Sequence, residues 1–222
     1  MWAILAFVVS LLPAVGSAIF SVNKPPSWLK EGPFLPHWVK INILGVVFSS
    51  VLAFFSYFFI HTEFIVEFKF LYSLALSLMG YIFVQTIFTD GWQRLADRRV
   101  LRVAVVASLL SGSIFLFVFG NSTMWMIYAL MFLLATALIF LHSLIGQSDA
   151  RAIQLIVAAT YPALGLERMQ WGILLFVPLI LVYGVIIAFK KKSFKGFFTK
   201  ISVPMVPLML APFIVVLMLP VF

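Results

Sequence analysis

The feature that most constrains this chain is a succession of long apolar runs, at roughly residues 2–20, 39–60, 69–89, 102–119, 123–145, 150–166, 171–189 and 201–221, parted by short polar or basic segments. A helix needs ~20 apolar residues to cross ~30 Å of hydrocarbon, and most of the runs are that long. In lipid an open strand edge would leave backbone groups unpaired, and the runs lack the alternation of a barrel strand, so they predict helices. The expected architecture is all-α, a polytopic integral membrane protein of about eight transmembrane helices. Composition excludes a soluble globule, since 64% of residues are hydrophobic and 10% charged. Spans of this number leave almost nothing of the 222 residues for an extramembrane part, so 1–222 reads as a single membrane domain.

The formal charge of +8 would suggest nucleic acid in a soluble chain. Here the cations cluster between apolar runs, as in loops facing anionic lipid, so membrane lipids are expected partners and nucleic acid is not. If the loop with Arg94, Arg98, Arg99 and Arg102 is cytoplasmic, alternation puts Lys24, Lys30, Lys40 and Arg151 on the same side, with Lys190, Lys191, Lys192, Lys195 and Lys200. Only Lys69 and Arg168 then fall outside, together with Glu63 and Glu67, and both termini face outward. The Pro-rich stretch from Asn23 to His37 reads as a cytoplasmic connector with Trp28, Phe34 and the adjoining Trp38 at the interface. Gly16-Ser17-Ala18 has the small residues of a signal-peptidase site. Basic residues follow that run and do not precede it, which predicts an uncleaved anchor.

Cysteine is absent, which removes disulfides, thiolate ligands and cysteine nucleophiles and leaves hydroxyls, carboxylates and three histidines. His37 and His61 sit at loop edges without ligand spacing, so no metal or other cofactor is expected. Of seven acidic residues, Glu31, Glu63, Glu67 and Glu167 fall in loops and read as solvated charges. Asp90, Asp97 and Asp149 lie at the cytoplasmic ends of spans, where an acid is a functional group, a helix cap or half of an ion pair. Two carboxyls within hydrogen-bonding reach cannot both ionise easily and share a proton. One then acts as base toward water while the other protonates the carbonyl of a scissile amide. Asp90 and Asp149 would meet at the inner boundary if the third and sixth spans are neighbours. Asp97 is the rival first acid, but it stands among Arg94, Arg98 and Arg99, where a surface ion pair of little energetic worth accounts for it.

The segment Ile145-Gly146-Gln147-Ser148-Asp149-Ala150-Arg151 resembles the Gly-x-Gly-Asp-x-Lys motif of type IV prepilin peptidases and archaeal preflagellin peptidases, which are membrane aspartyl proteases. Thr89-Asp90-Gly91-Trp92-Gln93-Arg94 is similar to the place of that family's first aspartate, at a helix end before a basic stretch. Lys200-Ile201-Ser202-Val203-Pro204-Met205-Val206-Pro207 is similar to its Ile-Pro-Phe-x-Pro segment. The resemblance implies Asp90 and Asp149 as the catalytic pair, supported by Gly146, Ser148, Arg151, Pro204 and Pro207. It further implies a substrate, a pilin-like precursor protein, and a site facing the cytoplasm of a prokaryotic cell membrane. Ser148 stands where the motif has its second glycine, and Ala96-Asp97-Arg98 where the family commonly has Ile-Pro-Asn. The likeness covers residues 69–222 as a helical core and leaves the two spans of 1–68 outside it. With no cysteine-bearing insertion, the chain resembles the members that cleave without methylating the new N-terminus.

Other polar residues have plainer readings. His142, about two turns before Asp149, reads as a buried histidine bonded to a neighbouring helix. Gln85, Thr86 and Thr89 lie near Asp90 and read as interhelical packing groups. The alternative function is a transporter or channel that couples protons or cations through its carboxylates. Against it, these aspartates lie at helix ends and no paired inverted repeat is present.

Overall fold

The apolar runs fold as helices α1 (Trp2–Asn23), α2 (Trp38–Phe55), α3 (Val66–Gln93), α4 (Arg98–Phe119), α5 (Ser122–Phe140), α6 (Gln147–Lys191) and α7 (Met205–Met218). The computed structural model describes residues 2–27, 29, 35–93, 97–140, 146–191 and 205–219, and among these there is no strand. Among the described residues six helical segments are long and apolar enough to cross a membrane, and α7, with 14 described residues, is shorter. Gly16, Ser17 and Ala18 lie inside α1, with Ser17 and Ala18 buried, so that helix runs unbroken through the small residues.

The expected loop around Glu167 and Arg168 is replaced by a one-residue reversal inside α6. Gly165 adopts φ 68° and ψ 177°, a region that only glycine enters readily, and it divides α6 into a first limb (147–164) and a second (166–191). Arg168 is hydrogen-bonded to Tyr72, near the start of α3. Tyr183 lines one hollow with Phe83 and Ile87, well along α3. The second limb therefore runs back alongside α3, and the two limbs account for the sixth and seventh apolar runs without a loop between them.

α3 is the pivot of the bundle. Residues 71–82 are buried on every side, as expected of a helix that is apolar or small all round, and α1, α2, α4, α6 and α7 all pack on it. α5 lies outside, mainly against α6. In lipid, helices associate through close packing at small residues and hydrogen bonds between polar ones. Ser10 and Ser73 hydroxyls meet at 2.6 Å and join α1 to α3. Tyr81 donates to Asn42 Oδ1 at 2.5 Å, and Gln85 Nε2 donates to Ser21 Oγ at 3.2 Å. The Trp38 indole N–H donates to the carbonyl of Ser21 at 3.0 Å, one of the last-turn carbonyls of α1 that has no partner within its own helix. Trp38 is therefore buried in the core and is not an interfacial residue as its neighbours suggested.

α4 and α6 pack closely at Gly112, where a Cβ would lie 2.6 Å from Pro162 Cγ and 3.2 Å from the carbonyl oxygen of Ala158. The last turn of α7 is held by His61, which follows a π-helical turn (Ser56–Ile60) at the end of α2. His61 Nε2 donates to the carbonyl of Leu217 at 3.0 Å, and the ring stacks on Phe64. A carbonyl only accepts, so Nε2 carries the hydrogen. Burial lowers the His61 pKa below its ordinary value; the Leu217 carbonyl partly opposes this, and nearby Arg168 and Lys69 add to it.

Two outcomes follow from these contacts. Gly112→Ala and Gly165→Ala should each destabilise the protein in detergent by roughly 1–3 kcal/mol, the first by overpacking and the second by backbone strain. A Cβ at Gly165 would meet nothing within 4 Å, so crowding adds nothing there; unchanged unfolding midpoints would contradict both assignments. For His61, the unfolded chain takes up the proton first as pH falls below about 6.5. Folded stability is then complete above that pH and declines as pH falls toward the lowered folded value. The melting temperature of wild type should fall between about pH 7.5 and about pH 5.5, and His61→Gln should flatten that dependence.

Candidate functional site

Helix direction brings the acidic candidates to one end of the bundle. Arg98 meets Gln147 and Gly112 meets Pro162, so the first limb of α6 runs parallel to α4. Phe68 meets Phe115, while Ala75 and Ser108 border one small void with Ala158 and Ala159, so α4 runs antiparallel to α3. α3 and the first limb of α6 are therefore antiparallel. At the helical rise, Asp90 lies roughly 22 Å beyond Ala75 and Asp149 roughly 14 Å beyond Ala158, both in the same direction. The end of α3 and the start of α6 thus share one end of the molecule. The backbone of Asp90 continues α3, and its side chain lies outside the described residues.

The ends of α1 and α4 join them there. Arg99 donates from NH2 to the carbonyl of Lys24 at 2.7 Å, and its guanidinium lies over the Phe20 ring. Arg98 NH1 donates to Gln147 Oε1 at 2.7 Å, tying the start of α4 to the start of α6. Lys24, Lys40, Arg98, Arg99, Arg102 and Arg151 all belong to this end, and Lys69 and Arg168 to the opposite one. Ser10 against Ser73, Phe7 against Tyr57, and Leu217 against His61 place the outer parts of α1 and α7 at the end away from the basic cluster.

Asp149 stands in the first turn of α6. The Gly146 carbonyl accepts the Ala150 N–H at 3.0 Å, which makes Gly146 the N-cap and Asp149 the third helical residue. An acid at that position turns back toward the cap and is favoured by the positive end of the helix dipole. A Cβ on Gly146 would lie 2.9 Å from Asp149 Oδ2. A side chain at 146 would therefore meet the Asp149 carboxylate and turn it aside, and the glycine is not in a left-handed backbone. Ser148 is helical, a conformation serine adopts without strain, so the motif's second glycine has no special backbone to provide here.

Asp97 is different. It caps α4, accepting the Arg99 backbone N–H at 3.0 Å, and it receives Arg99 Nε at 3.1 Å and NH2 at 2.9 Å. Its side chain is 2% exposed against 37% for Arg99. The expectation of a surface pair of little worth is corrected: the pair is bidentate and its carboxylate is buried, because the cap position draws it under the first turn of α4. Charge-assisted bidentate bonds of this kind are the strong ones. They commit Asp97 to structure.

The remaining candidates fall into place by position. Thr86 and Thr89 donate to the carbonyls of Ile82 and Gln85 one turn back, and Gln85 joins the polar column with Ser21 and Tyr81, so all three are packing groups. Arg151 is half-buried with an unpartnered Nε. Pro207 is buried in the first turn of α7, while Pro204, Arg94 and His142 lie outside the described residues. Among the described residues, no group of three or more His, Asp or Glu side chains is placed to hold a metal ion. The links from Arg98 to Gln147 and from Arg99 to Lys24 join positions far apart in the chain and carry no local sequence signal. No protein-family model, curated protein or solved structure matches the chain.

Asp97→Ala removes both the cap and the partner of Arg99, and should lower stability by roughly 1–3 kcal/mol. Asp97→Asn keeps a cap acceptor and should cost less. Chemical unfolding in mild detergent distinguishes the two, and an Asp97→Ala variant as stable as wild type would show that the cap and ion pair contribute nothing.

Proposed function

We propose that the protein is a membrane aspartyl endopeptidase of the prepilin-peptidase type, which removes the leader of pilin-like precursors without methylating the new N-terminus. The observation that carries this reading is the antiparallel packing of α3 on the first limb of α6, which brings the helix ends bearing Asp90 and Asp149 to one end of the bundle, with the Asp149 carboxylate close to Gly146. Orientation follows from charge. The basic end faces the cytoplasm, the chain crosses a prokaryotic cell membrane about eight times with the limbs of α6 counted separately, and both termini face outward. A precursor whose leader stays in the cytoplasm and whose apolar segment enters the bilayer presents its junction at that end.

The chemistry needs only the two carboxyls. Held as a pair, they share a proton. The ionised one takes a proton from water as the oxygen attacks the amide carbon, and the protonated one gives its proton to the carbonyl oxygen. When the tetrahedral diol collapses, the C–N bond breaks, the first carboxyl returns its proton to the leaving nitrogen, and the second carboxylate takes the proton of one hydroxyl as the carbonyl re-forms, which restores the shared proton. Arg98, through Gln147, fixes the start of α6, so it is a positioning residue.

The test is cleavage of a co-expressed pilin-like precursor, with membrane insertion checked for each variant. Asp90→Ala and Asp149→Ala should abolish the processed band, and Gly146→Val should reduce it strongly by displacing the Asp149 carboxylate. Asp97→Asn should retain processing. Full processing by an inserted Asp149→Ala protein would overturn the assignment.

A further inference from the structure

The starts of α4 and α6 lie side by side at the basic end, where Arg98 NH1 donates to Gln147 Oε1 at 2.7 Å. From that bond the two helices run parallel to the contact of Gly112 with Pro162. Arg102 follows Arg98 by one turn and Arg151 follows Gln147 by one turn, so both stand at the same level on neighbouring helices. A helical side chain leans toward the N-terminus of its own helix, which for both residues is the basic end. Arg98, Arg102 and Arg151 therefore converge on one region, close enough for the first two to repel the charge of the third.

Guanidiniums keep their protons at any ordinary pH, so this repulsion is relieved only by an anion. Asp97, next to Arg98 in the chain, is committed to Arg99. Asp149 precedes Arg151 by two residues, which sets its backbone roughly 160° round α6 from that arginine. Among the described residues none of the three arginines is in an ion pair. Arg151 Nε is enclosed and has no hydrogen-bond partner, and an enclosed donor without an acceptor is costly. Arg98 and Arg102 are exposed, so the region is open to a ligand.

We infer that Arg98, Arg102 and Arg151 form a binding site for a phosphate group, supplied by an anionic phospholipid of the adjoining leaflet or by free phosphate. The planar fork of arginine matches phosphate oxygens two at a time, and an oxygen between α4 and α6 gives Arg151 Nε its acceptor. The surroundings favour the lipid. Val106 and Leu110 continue the Arg102 face of α4 into the bilayer and are 53% and 59% exposed, so a phospholipid with its phosphate at Arg102 lays an acyl chain against them. A zwitterionic headgroup carries its own cation, which offsets the attraction, so the site discriminates by headgroup charge. A phosphate held here also draws the starts of α4 and α6 together, alongside the bond from Arg98 to Gln147.

Native mass spectrometry of the delipidated full chain tests this, with phosphatidylglycerol and phosphatidylcholine of one acyl composition, each with and without excess inorganic phosphate. Wild type should retain phosphatidylglycerol preferentially. Arg102→Gln, at an exposed position, should lower that preference about fivefold with the melting temperature of the lipid-free protein unchanged, and Arg151→Gln should lower it as much. Arg102→Lys should keep part of it. Lys40→Gln removes a cation of the same end from outside the cluster and should leave the preference intact. Displacement of phosphatidylglycerol by inorganic phosphate would assign the site to free phosphate, and retention against it would assign the site to the lipid. Equal retention of the two lipids by wild type with no inorganic phosphate bound, or a loss in Lys40→Gln as large as in Arg102→Gln, would overturn the proposal.

Discussion

Everything in this bundle depends on the burial of α3. A helix enclosed by five others cannot leave a hydroxyl, amide or phenol without a partner at low cost, because no water is at hand to replace one. Three of its polar side chains choose their neighbours in this way, Ser73 selecting Ser10, Tyr81 selecting Asn42 and Gln85 selecting Ser21, while the buried Ser77 hydroxyl has no partner. These bonds fix the axial register of α1 and α2 on α3, which lipid-facing aliphatic surface alone would leave free to slide. The first two helices are in this sense part of the core of the protein.

The gross architecture was legible because the apolar runs are long and their boundaries are charged. What the pattern missed were single residues whose effect depends on a distant partner. Glu167 and Arg168 have the look of a loop, yet Gly165 reverses the chain in one residue and both limbs remain helical up to it. Trp38 beside Lys40 has the look of an interface anchor, but a free carbonyl at the end of α1 draws its indole inward. Asp97 among arginines has the look of a solvated pair, whereas capping α4 buries it. In each case local composition describes the residue correctly and a tertiary hydrogen bond or backbone conformation decides its environment.

The candidate site divides in the same way. That Asp149 begins a helix after a small residue can be seen in the chain, and so can the placement of Asp90 at a helix end. The reason for Gly146 cannot, since it lies in the direction the Asp149 carboxylate takes and not in the glycine's own backbone. Nor does any short motif reveal that Arg98 reaches Gln147 across the bundle. A motif read as letters ranks glycine and serine differences equally; the structure separates them, because a side chain at 146 would meet the Asp149 carboxylate while position 148 is ordinary helix.

The two ends of the molecule are secured by different physics, and this bears on where chemistry is possible. At the end away from the basic cluster, His61 is neutral, buried and bonded to the α7 backbone, and aromatic rings surround it. Nothing there has to move or to meet solvent. At the basic end the helix termini are joined by charge-assisted bonds from arginines that remain partly exposed. Such bonds hold the helix ends together at a surface where Arg98 stays exposed. A hydrolytic pair needs both conditions at once: carboxyls held within reach of each other, and access for water and an extended peptide. The proposed pair, Asp90 and Asp149, belongs to the basic end, where the arginines that join the helix termini stay in contact with the surface.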